Sequence, residues 1–430
     1  MPDVVIVGGG PAGSTAAALL AKAGRRVTLI EKDTHPRFHI GESLLPRNLD
    51  VLERLGVLDA LPDIGVLKPG AEFVSDRSGR SCAFSFAKGL NRRRTYSWQV
   101  RRADFDAVLF ATAAKQGATT LQSTRVTDIQ FGAPGERATV TLRDAAGAEQ
   151  TVRPRYVLDA SGRDTFLAGR MRVKDSDKLN NTAAVYAHFR GVERRAGELE
   201  GYISVHLAED GWFWLIPLPD DVMSIGFVGN QAAWKGRQGS AEDLFLARIA
   251  ASPSVAARTR GAVLASGIVS TGNYSYRARQ GYGDGYLMIG DAYGFTDPMF
   301  STGVLLAMTG GELGAAAVDA WLDDPVRGTR MAARTNRDMA RAMKRISWLI
   351  YRINDPVLRS LFLAPRNTLW MRDGLISLLA GDLGTNLRAI VPVLSFKAVF
   401  HTLSMLHRLG LGPPMPEALP PVGMPQTSTP

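Results

Sequence analysis

Apolar positions along this chain change period several times, and each change marks an element. Val4 to Val7 is a β-branched run, Gly8-Gly9-Gly10-Pro11-Ala12-Gly13 follows, and Ser14 to Ala23 is rich in Ala and Leu. That order predicts strand, tight turn and helix. Arg26 to Ile30 reads as a second strand ending at Glu31, which completes a βαβ unit. Leu49 to Leu58 has a helical pattern, as does Arg101 to Ala114 with Phe105, Val108, Leu109 and Ala113 apolar. Strands are expected from Ala118 to Ala160, with a turn at Ala145-Ala146-Gly147 and a last strand, Tyr156 to Leu158, leading into Asp159-Ala160-Ser161-Gly162. Alternation dominates Ala183 to Val228 around Trp212-Phe213-Trp214 and predicts a separate antiparallel sheet. Tyr286 to Ile289 is one more buried strand, closed by Gly290-Asp291 and followed by a helix from Gly303 to Trp321; it is expected to return to the first domain. Met331 to His407 is helical in pattern, and the prolines after Gly410 predict an extended or disordered tail.

Composition narrows the class. With 430 residues, two or three domains are expected. The one cysteine, Cys82, excludes an intrachain disulfide and a cysteine zinc site, and no metal site is expected from six histidines. A reducing, cytoplasmic compartment fits, since no signal peptide pattern opens the chain and no apolar run is expected to span a bilayer. Lys plus Arg exceeds Asp plus Glu by 51 to 41, a net +10. The surface is therefore basic, but no nucleic-acid recognition fold is visible.

The glycine turn carries the first chemistry. Gly8 permits the tight turn, Gly10 lets backbone approach a pyrophosphate, and Gly13 lets helix and strand pack closely. Pro11 and Ala12 open the helix, whose N-terminus offers free N–H groups to an anion. Glu31, followed by Lys32, stands at the end of the next strand, where a carboxylate can accept ribose hydroxyls. These features leave NAD and FAD open. Tyr286-Leu287-Met288-Ile289-Gly290-Asp291-Ala292 bears on the choice, because an aspartate between strand and helix can bind a ribityl hydroxyl.

This arrangement resembles the FAD domain of the glutathione-reductase-like flavoprotein monooxygenases. Asp159-Ala160-Ser161-Gly162 resembles their middle strand-to-turn segment, and Arg101 resembles their arginine near FAD. Two further stretches, Gly41-Glu42-Ser43-Leu44-Leu45-Pro46 and Gly211-Trp212-Phe213-Trp214-Leu215-Ile216-Pro217, resemble those of the flavin-dependent halogenases, the second matching their Trp-x-Trp-x-Ile-Pro motif. Period-two tryptophans also commonly just pack a sheet face.

The resemblance implies an α/β fold: a Rossmann-like, glutathione-reductase-like FAD domain with an inserted antiparallel β-sheet substrate domain and a helical C-terminal region. FAD segments are expected at 1–75, 101–175 and 276–322, parts of the substrate sheet at 76–100 and 176–275, helices at 323–410 and the tail at 411–430. It implies an enzyme using FADH2 from a partner flavin reductase, dioxygen and chloride or bromide. FAD would be held by Gly8, Gly10, Pro11, Ala12, Gly13, Glu31, Lys32, Glu42, Ser43, Arg101, Asp159, Gly290 and Asp291. Trp212, Trp214 and Pro217 would wall the flavin off from the organic substrate. Lys68 would hold hypohalous acid, with Lys88 as the next candidate. Thr302 and Gly303 would bind halide at a helix start, where Ser301 or Thr302 could equally serve as an N-cap.

Tryptophan halogenases have a glutamate where this chain has Phe300, which directs the expectation to an electron-rich phenol or pyrrole. Arg330, Arg334, Arg337, Arg341, Lys344 and Arg345 form a basic helical band suited to an acidic acyl or peptidyl carrier protein. The rival readings are an FAD-dependent aromatic monooxygenase, an isoprenoid double-bond reductase, and a non-catalytic flavoprotein adaptor for a carrier or membrane.

Overall fold

The computed structural model describes residues 1–133, 135–176, 182–234, 239–272, 275–383, 387–415 and 417. Val4–Val7 is buried along its whole length because Val4 and Ile6 face one apolar cluster and Val5 and Val7 another. Continuous apolar runs of this kind belong to central parallel strands. The sheet around it has six strands, in the order Tyr282–Gly283, Tyr286–Met288, Tyr156–Asp159, Val4–Val7, Val27–Ile30 and Thr119–Leu121. All pairs are parallel except the first, a hairpin. Segments distant in sequence thus meet as expected, and their C-terminal ends open side by side.

Helices Pro11–Lys22, Arg102–Lys115 and Thr302–Asp323 contribute to the cluster on one face. The first starts at Pro11, earlier than the expected Ser14, since proline's fixed φ suits the first helical position. On the other face lies a three-stranded meander, Arg125–Gln130, Thr139–Arg143 and Glu149–Val152, with its tight turn at Gly147.

The second sheet has eight strands. Its main path runs Val263–Leu264, Thr182–Arg190, Val222–Asn230, Gly211–Pro217, Ile203–Leu207, Gly70–Ser75 and Ser81–Ser85, and Val269–Gly272 pairs with Thr182–Arg190. Two expectations change here. Ile203–Leu207 pairs parallel with Gly70–Ser75, so the sheet is mixed rather than wholly antiparallel. That pairing also draws Gly70–Ser75, expected within the cofactor segment, into the second sheet. One face packs Phe213, Leu215 and Phe227 against Phe245 and Ile249 of a helix not anticipated, Ala241–Ala251, which a Ser240–Asp243 capping box starts.

The opposite face carries Trp212 and Trp214 and is covered by C-terminal helices Pro325–Ile350, Pro356–Leu363, Met371–Leu379 and Leu387–Arg408. Asp324 and Asp355 cap the first two by accepting N–H bonds, each followed by a proline that needs no donor. Ile390–Arg408 is long and apolar enough to cross a membrane by length and composition, which corrects the expectation that no run is. Most of the expected tail lies outside the described residues.

Candidate active site

At the C-terminal end of the parallel sheet lies a cavity of about 350 Å³. Gly8, Gly10, Pro11, Ala12, Glu31, Lys32, Glu42, Ser43, Asp291 and Gly303 all line it. The glycines are there for space. Gly8 has φ +100° and a Cβ on it would lie 2.3 Å from the Ala160 carbonyl oxygen; one on Gly13 would lie 1.9 Å from that of Gly8. A Cβ on Gly10 would meet only Arg37, at 3.7 Å. Its open side can take a ligand phosphate. Glu31 accepts the Gly9 N–H at 2.8 Å and the Asp33 N–H at 3.0 Å, so it holds the glycine turn as well as facing the cavity. Ser43 Oγ and Arg37 Nε are buried without a protein partner, and both residues line the cavity. Orphaned polar atoms around an open glycine cradle fit a polar dinucleotide.

Asp291 also faces this cavity. Burial raises its carboxyl to about 6, against the opposing pull of Arg102 and Arg163. Close by, Ser301 has φ 57° and its side chain makes no capping bond to the 22-residue helix that begins at Thr302. The alternative of an ordinary side-chain cap is not realised, so this helix start keeps its N–H groups for another acceptor. Gly303 lines the cavity, while Thr302 is buried behind it.

The strand Gly211–Pro217 forms part of the wall. Its pleat puts Trp212, Trp214 and Ile216 on one face, and all three line the cavity. The indoles lie 5.8 Å apart at 50°, and Trp214 donates to Ser224 Oγ at 3.2 Å. Trp214 lies across Gly226 on the neighbouring strand, where a Cβ would come within 2.2 Å of its ring. Adjoining the larger cavity, a smaller one of about 10 Å³ is lined by Lys68, Phe73, Phe86 and Phe300, and shares Ile203, Met299 and Ser301 with it. Lys68 is 1% exposed; its Nζ donates to the Leu44 carbonyl at 2.8 Å and lies 5.3 Å from the Phe86 ring centre. Burial lowers its ammonium to about 7. A desolvated amine next to a dinucleotide cavity can hydrogen-bond an electrophile or act as a nucleophile.

Residues 1–311 match the family model described as FAD binding domain. A tryptophan 2-halogenase from Chondromyces crocatus is 34% identical over 73% of this chain and 60% of its own length. The flavin-dependent halogenase armH4 of Armillaria mellea is 31% identical over 80% of this chain and 70% of its own length. The chain belongs to the flavin-dependent halogenases. A 1H-pyrrole-2-carbonyl-[peptidyl-carrier protein] chlorinase from Pseudomonas fluorescens is 29% identical over 74% of this halogenase and 75% of its own length. Among solved structures, a flavoprotein/dehydrogenase from Cytophaga hutchinsonii superposes with TM-score 0.85 at 28% identity, covering 95% of this chain and 99% of that one. The flavin-dependent brominase Bmp2 does so with TM-score 0.78 at 27%, covering 95% and 99%.

Several expected site residues of this halogenase lie elsewhere. Arg101 precedes its helix with extended backbone and turns to the Pro219 carbonyl and Asp220, both at 2.8 Å; the arginine lining the cavity is its neighbour Arg102. Arg102 is clamped by Asp106 at 2.8 and 2.9 Å and donates to the Ile40 carbonyl. Pro217 falls on the strand face opposite the tryptophans, and Ile216 takes its place on the wall. Asp159 accepts the Ser161 and Leu167 N–H groups from behind the turn, so it shapes the cavity without lining it. Gly13 and Gly290 pack against Gly8 and Ala12 beneath the cavity. Lys88 is exposed.

Sequence reasoning missed His188, whose Nε2 lies 3.0 Å from Glu42 Oε1 and whose ring packs edge-on to Phe38. It also missed Arg37, Arg163 and His39 on the cavity wall, the last held down to about 4 by burial and Arg102. A one-residue shift in the Arg101-Arg102 pair was readable from helical phase; nothing local marked His188.

Proposed function

We propose that this halogenase accepts reduced FAD from a separate flavin reductase and, with dioxygen and chloride or bromide, halogenates a phenol or pyrrole. When bound and reduced, FAD supplies the electrons and the oxygen activation by which halide is oxidised to the level of hypohalous acid. The residues that would hold it are those of the larger cavity: the Gly8 to Ala12 turn, Glu31, Ser43, Arg102 and Asp291. Trp212 and Trp214 exclude the organic substrate from that cavity, and the N–H groups at Thr302 and Gly303 hold the halide.

The observation that carries the reading is the position of Lys68, buried in a cavity that shares Ile203, Met299 and Ser301 with the cofactor side. Its Nζ would hold the electrophilic halogen beside the ring to be modified. Phe73, Phe86 and Phe300 suit a flat aromatic, and no carboxylate lines this pocket among the described residues. Such a lining offers no anionic partner to a cationic ring intermediate, which favours a phenol or pyrrole already rich in electrons. The pocket holds about one water-sized molecule as it stands, so the ring enters by displacing its wall.

A carrier-bound substrate is part of the proposal. Arg330, Arg334, Arg337, Arg341 and Lys344 are all exposed at helical spacing, whereas Arg345 turns inward to the Leu383 carbonyl. The pyrrolyl-carrier chlorinase among the relatives supports the same idea. The test is mass spectrometry of a reaction with FAD, a generic reductase, NADH, dioxygen and halide, offering simple phenols and carrier-bound pyrrole. A product with the halogen isotope pattern is expected. Gain of one oxygen instead would make this chain a hydroxylase; in a parallel reaction without halide and with an isoprenoid offered, reduction of its double bond would make it a reductase.

A further inference from the structure

The helix Leu387–Arg408 is apolar on two faces, and the fold uses one. Pro392, Phe396 and Phe400 pack inward, Phe400 edge-on to Trp348 at 5.5 Å. On the opposite side Val391, Leu394, Ala398, Met405 and Leu409, spaced by threes and fours apart from one gap at Thr402, form an exposed stripe. Its four large members are 56% to 63% exposed, and only 17% of the Ile390–Arg408 stretch is buried. The turn Thr368–Trp370 packs against the same helix and adds Leu369 and Trp370, 60% and 64% exposed. A helix that is apolar all round normally has both faces covered.

Cations border one edge of the stripe. Lys397 and Arg408 project there, and Lys397 stands over the Trp348 ring at 4.6 Å. Its ammonium is lowered by burial and by the adjacent charges of Arg352, Arg345 and Lys344. An apolar stripe with a tryptophan beside it and cations along its edge is the layout of a helix lying in a bilayer interface. Its inward face is part of the protein core, so it lies along the surface rather than spanning the bilayer. The stripe is also small for a protein partner. Nineteen residues give a helix face about 28 Å long and about 10 Å wide, roughly 300 Å², which the two side chains of the Thr368–Trp370 turn enlarge but leave below the roughly 800 Å² per partner of a stable protein interface.

We infer that Thr368–Trp370 and the outer face of Leu387–Arg408 dock this halogenase on anionic phospholipid membranes, the apolar stripe entering the headgroup boundary and the basic edge pairing with lipid phosphates. The test is co-flotation of the full-length, FAD-loaded protein with vesicles of phosphatidylcholine alone or mixed with phosphatidylglycerol. Binding is expected to the mixed vesicles, to fall with added salt, and to weaken roughly fivefold for each of Lys344 and Arg408 changed to Gln. The double variant Leu394→Glu/Met405→Glu is expected to lose binding while keeping its bound-flavin spectrum, which separates docking from misfolding. Absence of binding to mixed vesicles, or equal binding by the flavin-loaded double variant, overturns the inference. So does a result in which that variant abolishes self-association or docking of an acidic carrier protein while the parent ignores vesicles.

Discussion

Replacing Lys68 with Met should make the folded protein more stable while ending halogenation. The side chain is buried and its ammonium is lowered from an ordinary 10.5 to about 7. Below pH 7 that drop corresponds to about 5 kcal/mol of folding free energy opposed by the charge. Methionine keeps most of the stem volume but leaves the Leu44 carbonyl without its 2.8 Å donor, a loss of about 1–3 kcal/mol. The net gain is therefore about 3 kcal/mol at pH 6. The folded state binds this proton less tightly than the unfolded chain, so the parent gains stability as pH rises from 7 towards 10.5. Between pH 6 and pH 9 the gap between variant and parent should narrow by about 2–3 kcal/mol. Urea unfolding followed by tryptophan fluorescence at both pH values measures it, and bound flavin with halogenation assays on the same samples reads function. A pH-independent gap would show that burial does not perturb Lys68, and retained halogenation would remove it from the reaction.

Two further outcomes follow from the cofactor cavity. Asp291 is raised to about 6 by burial, so if its carboxylate accepts a ribityl hydroxyl, FAD affinity should rise with pH through about 6. Asp291→Asn should flatten that profile in a flavin-quenching titration. Gly13→Val would put Cβ 1.9 Å from the Gly8 carbonyl oxygen, and the purified protein should come out colourless, with FAD affinity down by at least about tenfold.

The cofactor half was legible because its signals are local. Gly8 and Gly13 are demanded by backbone close to other backbone, Gly10 leaves one side of the turn open, and the strand-turn-helix order around them is written within thirty residues. The tryptophan wall was legible for the same reason, since a period of two assigns Trp212 and Trp214 to one face. Phase errors mark the limit of this reading. Arg101 for Arg102 and Pro217 for Ile216 are each off by one residue; in a strand one residue reverses the side chain's direction, and at a helix start it turns it by about 100°.

Residue order alone established the βαβ unit, the glycine cradle, the spaced indoles and the family they resemble, because each is encoded between near neighbours. Assembly settled what neighbours cannot encode. The parallel pairing of Gly70–Ser75 with Ile203–Leu207 and the C-terminal helices over their sheet bring residues from Leu45 to Leu379 around Lys68. That enclosure removes water from the amine and changes its proton affinity. The same packing uses one face of Leu387–Arg408 and leaves the other bare, a distinction absent from the helix's own apolar pattern, since only the fold decides which of two similar faces meets the core.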